Sequence, residues 1–356
     1  MMFSVIIPVY NCQETITHCV ESLQKQTFTD FEIILIDDGS KDDSLKLCEK
    51  MKEEDQRIKV ITQSNQGAGA ARNKGLKAAE GEYIIFCDSD DFYVENAFEK
   101  FFNVIHVLQP DLIVGSYCEI HCSGNTIKVV REKKNENDHI SSVEEVRKHY
   151  PTLHHDCMIT SPWAKAYKSS VIKSHDIEFP DLRRCQDVVF NVRFYGFVKS
   201  MSLINDVVYC YNTSERGVGM RKYPKHMYKI QAEVYNIIKD RMINWGVWNL
   251  KVRRYFNTNY VRDTMMLLRL NLSNNWDLDA SERKELSKTI LNDECLLTVL
   301  KEPVNGYLNK IFRLVMKTKN ILLINAVNST IVLYKNVKTS ARRICDSKTS
   351  ENEPER

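Results

Sequence analysis

Over its first 120 residues the sequence alternates short, almost wholly apolar runs with segments of helical spacing, and this alternation restricts the fold more than any other property. Residues 3–8, 31–36, 58–62, 83–87 and 112–115 read as strands. Between them Ile16, Val20 and Leu23, then Leu45 and Cys48, then Phe98, Phe101, Phe102 and Ile105 mark helices, and the small residues of 67–79 open another. Ser40 and Asp43 read as a capping-box pair for the second helix. Strands without a polar side must be covered on both faces, which predicts an α/β fold with a mainly parallel sheet flanked by helices.

In such a sheet the strand ends are neighbours, so polar groups distant in sequence converge at one edge. The first strand delivers Pro8, Val9, Tyr10 and Asn11, and the second delivers Asp37 and Asp38. The loop after the third runs Asn65-Gln66-Gly67-Ala68-Gly69-Ala70-Ala71-Arg72-Asn73. The fourth ends in Asp88-Ser89-Asp90-Asp91. Two carboxylates one residue apart can share a hard divalent cation, and that ion can hold a diphosphate. An arginine or a glycine-flanked amide can face phosphate. The competing reading of the acids is a solvated turn, with Asp91 placed to cap the next helix.

Composition narrows the class further. The chain has 356 residues, 43% hydrophobic and 27% charged, which suits a globular protein of one large domain with an appendage or of two domains. A net charge of +3 does not point to nucleic acid as the main partner. The eleven cysteines form no CxxC pair, and Cys118 and Cys122 lack a second pair for zinc; an odd, scattered set favours a reducing, cytoplasmic setting. The opening residues lead directly into a strand, with no signal-peptide core. No stretch reaches the roughly 18 apolar residues of a membrane span; the best, 321–334, is short and contains Asn325 and Asn328.

Regularity weakens after residue 120. Residues 128–138 read as an exposed polar loop, 187–197 as a helix, 207–211 as a strand, and the chain from about 223 as helical. Residues 305–345 contain eight Lys and Arg, no Asp or Glu, and interleaved apolar residues. This basic amphipathic segment suits either the cytoplasmic membrane face or a helix docked on the body with its basic side in water. The tail 346–356 is polar and expected to be disordered.

Five segments together resemble the inverting family 2 glycosyltransferases of the GT-A fold, of the bacterial polysaccharide-biosynthesis kind. They are Ser4-Val5-Ile6-Ile7-Pro8-Val9-Tyr10-Asn11, Gln26-Thr27-Phe28, Ile36-Asp37-Asp38-Gly39-Ser40, Gly67 through Asn73, and Asp88-Ser89-Asp90-Asp91. The resemblance covers about the first hundred residues closely and the next hundred loosely. It implies a GT-A domain over 1–220, with a nucleotide-sugar half (1–115) and an acceptor half (116–220); the helical C-terminal region over 221–304 rests on helical spacing alone and matches no family motif. It implies that Pro8 and Tyr10 line the nucleobase slot with Glu14 nearby, that Asp38 contacts uracil, and that Arg72 frames the nucleotide. Asp88, with Ser89 beside it, would reach the ribose, and Asp90 would bind Mn2+ or Mg2+.

The family's general base is an acid of a Glu-Asp pair at a helix start after Phe-Pro. Here Phe179-Pro180 precedes Gln186-Asp187, so Asp187 matches the base and Gln186 replaces the usual Glu. Tyr209-Cys210-Tyr211-Asn212 resembles the family's Tyr-x-Tyr-Arg strand, with Asn212 for Arg, and 213–220 would be a mobile loop offering Arg216 or Arg221 to the diphosphate. Trp163 stands where the family places a Trp beside the acceptor; it could stack on a sugar or belong to the core. The implied activity is transfer from a nucleotide sugar, UDP-linked by resemblance, to a saccharide or lipid-linked saccharide in cell-surface polysaccharide synthesis. The alternative is an inactive nucleotide-sugar-binding partner subunit of a transferase. The helical region could also pack against a second copy as a homo-oligomer.

Overall fold

The computed structural model describes residues 1–123, 126–155, 158–214, 224–273 and 276–330. The expected alternation is present. β1 (Phe3–Val9), α1 (Ile16–Gln24), β2 (Phe31–Asp37), α2 (Ser44–Glu54), β3 (Ile58–Thr62), α3 (Ala68–Ala78) and β4 (Tyr83–Phe86) follow in order. The strands β1, β2 and β4 are almost entirely buried, as apolar strands between helical layers must be. Next come β5 (Phe92–Tyr93), α4 (Ala97–Leu108), β6 (Leu112–Ser123), β7 (Thr126–Lys133), β8 (Asp138–Ile140), α5 (Val143–His155), β9 (Lys165–Lys168), α6 (Ser169–Ser174), α7 (Gln186–Tyr195) and β10 (Met201–Asn212).

One sheet runs β3-β2-β1-β4-β9-β6-β10-β5, with β7 beside β6 and β8 beside β10. The pairs β1/β2, β2/β3, β1/β4 and β6/β10 are parallel, and β9 runs antiparallel to both β4 and β6. From β1 the chain winds outward through β2 to β3, then returns to place β4 on the other side of β1. The order therefore reverses at β1, and the loops leaving β1 and β4 part there. That is where an open α/β sheet offers a ligand crevice.

Two local expectations are corrected. Of residues 128–138 only 134–137 form a loop, because 128–133 belong to β7, paired antiparallel with β6, and Asp138 opens β8, paired antiparallel with β10. The side chains of β7 are nearly all exposed, so its ladder of backbone hydrogen bonds holds it and no hydrophobic pattern reveals it. Ser40 and Asp43 do not form a capping box. The Ser40 hydroxyl accepts from the Asn11 N–H (3.1 Å), and the helix starts at Ser44, whose N–H donates to Asp42 (3.0 Å).

The chain divides into two compact units, Met1–Gly219 with Ile237–Val247, and Met220–Asn236 with Trp248–Arg356. The sheet belongs to the first. Beyond it lie α8 (Met227–Asn244), α9 (Leu250–Leu272), α10 (Ala280–Leu291), α11 (Glu294–Val299) and α12 (Tyr307–Lys317). The second unit has its own core, in which Val261, Met265 and Leu268 of α9 meet Ile290 and Leu291 of α10, Leu296 and Val299 of α11, and Phe312, Val315 and Met316 of α12. The described part of segment 305–345 thus contributes α12 and the helical stretch 321–330 to this unit, with Ile324 in the same core; 331–345 and the tail 346–356 lie outside the described residues. No helix among the described residues is long and apolar enough to cross a membrane.

Candidate active site

The loops leaving β1 and β2 are stitched together by reciprocal bonds. Lys41 N–H donates to the Asn11 side-chain oxygen (2.8 Å), and Asp43 N–H donates to that of Gln13 (3.0 Å). Gln13 N–H donates in return to Asp42 (3.2 Å). These bonds fix the backbone that carries Pro8 and Tyr10. Pro8 is half-buried and Tyr10 exposed, so the ring is open to a ligand at the strand end. Glu14 is also exposed, and it accepts from the neighbouring Gln13 amide (3.3 Å); among the described residues no hydrogen bond joins it to the acids.

Asp38 lies at the strand end as expected, but its carboxylate faces inward. It is 2% exposed and accepts from the Gln63 amide (2.8 Å), Gln66 N–H (2.8 Å) and Gly67 N–H (2.7 Å). Here Asp38 shapes the loop that opens α3, at the strand end where the family pattern implies the uracil contact. Gly67 has φ +92°, a left-handed-side conformation that side chains resist, and its N–H reaches Asp38 from that turn.

One turn into α3, Arg72 is buried and bridges two acids. It donates to Asp88 after β4 (2.7 Å) and to Asp187 at the start of α7 (3.0 Å), with its guanidinium 5.4 Å from the Phe179 ring centre. Asn73 exchanges two bonds with the Phe179 backbone, at 2.9 and 2.8 Å. The adjacent Arg72 and Asn73 therefore hold Asp187 and the segment before it. Gln186 completes this clasp: with its amide oriented by its partners, the nitrogen donates to Leu182 C=O (2.9 Å) and the oxygen accepts from Gly69 N–H (3.3 Å). A glutamate there would set a second lone-pair oxygen against the Leu182 carbonyl, which gives the departure from the family pair a local reason.

Asp187 sits at the helix start without capping it and turns to Arg72. Withdrawal from solvent raises its pKa above the ordinary value; Arg72 opposes this, Asp88 adds to it, and Lys165 opposes it. Lys165, the lysine of the Trp–Lys segment that the family places beside the acceptor, is 1% exposed and donates to Ser161 C=O (2.9 Å) and Trp163 C=O (3.0 Å). Burial lowers its pKa to about 7, against the pull of Asp187.

After β4, Asp88, Ser89 and Asp90 are half-buried and Asp91 is buried. Asp91 does not cap α4. It accepts from the Tyr209 hydroxyl (2.7 Å) and from Asn212 N–H (2.9 Å), while Tyr209 also accepts from Asp88 N–H (3.2 Å). The acidic turn is thereby tied to β10. Ser89 bonds the Cys12 thiol; burial pushes that thiol's pKa up, and the bonds from Ser89 and Ser44 pull it back. Trp163 is 7% exposed and stacks on Tyr209 (4.8 Å) and Tyr211 (5.2 Å), which gives it a place in the core packing. Loop residues 215–220 and Arg221 lie outside the described residues.

Comparison with known proteins places this geometry. The model of "Glycosyl transferase family 2" matches residues 4–173. Glycosyltransferase GlyG of Streptococcus pneumoniae serotype 4 is 30% identical over 213 residues, 59% of this chain and 70% of GlyG. A poly(ribitol-phosphate) beta-glucosyltransferase of Bacillus spizizenii is 31% identical over 247 residues, 67% of this chain and 37% of that protein. The chain thus spans little more than a third of the second relative. The crystal structure of S. aureus TarS 1–349 with UDP superposes with a TM-score of 0.63 over 94% of this chain and 92% of that one, at 22% identity, which speaks for the fold. A mainly parallel sheet with acids at its crevice, and a relative matched over most of its length, make this chain a member of glycosyl transferase family 2 with the GT-A fold.

Proposed function

We propose that the chain transfers a sugar from a UDP-sugar to a hydroxyl of a saccharide or lipid-linked saccharide, with inversion, in cell-surface polysaccharide assembly. The observation that carries this reading is the Arg72 bridge. It joins a donor-side acid, Asp88, to an acid suited to proton removal, Asp187, within the reach of one guanidinium. Asp187 takes the proton of the acceptor hydroxyl. The acceptor oxygen bonds to the anomeric carbon from the face opposite the diphosphate, and the carbon–oxygen bond to the diphosphate breaks. UDP bound to TarS in one crystal structure and UDP-GlcNAc in another support the donor class. The beta linkage in the names of two relatives supports inversion, since that is what inversion yields from an alpha-linked donor.

Pro8 and Tyr10 line the nucleobase slot, and Asp88 and Ser89 face the ribose. No group of three or more His, Cys, Asp or Glu suited to a metal occurs among the described residues. Mg2+ or Mn2+ needs none, because such ions take one or two carboxylates and fill their shells with phosphate oxygens and water. Asp90, half-buried beside Asp88, supplies the hard oxygen this requires. Once bound, the ion would neutralise charge developing on the departing diphosphate.

The test is a screen of UDP-, GDP- and dTDP-sugars with manganese, with and without polysaccharide acceptors, scored by nucleoside diphosphate release. Release from a UDP-sugar, lost in Asp90→Ala and Asp187→Asn, is the expected result. UDP binding without release under any condition would assign the chain to an inactive partner subunit. Absence of UDP binding would overturn both readings.

A further inference from the structure

We propose that the outward face of α12, continued by the helical stretch 321–330, is a docking surface for an anionic lipid bilayer. The surface lies wholly in the second unit, and the proposal stands apart from the donor and acceptor reading. α12 has two faces, and the inner one is filled by Phe312, Val315 and Met316, with Ile324 of the next stretch in the same core. The outer apolar residues therefore have no part in that core. Tyr307 is 82% exposed, Leu314 60% and Leu322 80%, and Leu323 is exposed beside Leu322. Lys310 and Lys317 recur with Tyr307 and Leu314 at three- and four-residue spacings, so the four share one stripe of the helix.

The charge on this face is of one sign. No Asp or Glu occurs from residue 303 to 330. Elsewhere in this unit basic side chains find acids: Lys288 pairs with Glu285 (3.0 Å), Arg253 with Glu302 (3.6 Å) and Arg262 with Asp263 (3.0 Å). Among the described residues Lys310 and Lys317 form no ion pair. Leucine and tyrosine side chains between unpaired lysines fit the boundary between headgroups and acyl chains, where apolar residues insert and cations meet anionic phosphate. A second copy facing the same surface would set lysine against lysine, which argues against self-association there.

The experiment is sedimentation of the full chain with vesicles of phosphatidylcholine alone and of phosphatidylcholine mixed with phosphatidylglycerol, at low and high salt. The expected result is binding to the anionic vesicles, weakened by salt. Leu314→Ser with Leu322→Ser, and separately Lys310→Gln with Lys317→Gln, should each lower it by about tenfold or more while the melting temperature stays unchanged. Three results would overturn the proposal: no preference for anionic over neutral vesicles, undiminished binding in both double variants, or a concentration-dependent dimer abolished by the leucine changes. The UDP-sugar screen on the same variants should be unaffected, so failure here leaves the transferase reading intact.

Discussion

At the scale of single residues, the site turns on how Asp187 is balanced. A general base must be ionised to work, so activity falls as pH drops through its pKa. Burial raises that pKa, and the charges of Arg72 and Lys165 restrain it. The acid limb of the kcat/KM profile should therefore lie above the usual aspartate range near 3.9. Lys165→Met removes a positive charge and should move the limb upward, while Asp187→Asn should lower kcat by roughly 10²–10⁴ and leave UDP binding in place. Steady-state rates across pH check all three statements; an acid limb unmoved by Lys165→Met would refute the coupling. Asp187 was legible in the sequence because a motif places it. Lys165 was legible only as the end of a Trp–Lys segment; its place out of water beside carbonyls depended on tertiary packing. Asp38 shows the same limit: its position was clear, but which donors its carboxylate takes depended on a loop 28 residues away.

At the scale of elements, α3 is the hub. Its small residues let it pack closely, and a Cβ on Gly69 would come within 2.5 Å of the Gln186 side chain. From this helix Arg72 grips two acids and Asn73 grips the Phe179 backbone. The clasp predicts that Gln186→Glu is not a neutral return to the family pair. It exchanges a donated hydrogen bond for an oxygen facing the Leu182 carbonyl. We expect about 1–3 kcal/mol of lost stability at neutral pH, read by urea unfolding. A stability equal to that of the parent chain would show that the segment relaxes instead. Strands β1 to β4 were legible because their apolar runs are local. β7 and β8 were not, because the exposed β7 and the three-residue β8 are held by pairing with β6 and β10 and carry no pattern of their own.

At the scale of the molecule, two cores are built from separate stretches of chain. Met316 is fully buried in the second. Met316→Ala should cost about 2–5 kcal/mol there, measured by urea unfolding of the full chain, while UDP binding by the first unit persists. A loss of UDP binding under native conditions would show that the first unit depends on this core. The sequence by itself determined the parallel α/β sheet, the strand ends that carry the acids, and the basic amphipathic character of α12, since strand and helix periods and turn chemistry are local. Tertiary structure alone decided that Arg72 joins Asp88 to Asp187, that Asp91 ties the acidic turn to Tyr209, that Trp163 belongs to the core, and which face of α12 meets solvent. Each of those depends on partners brought together by the fold, and a hydrogen bond or a stacked ring leaves no trace in the spacing of residues along the chain.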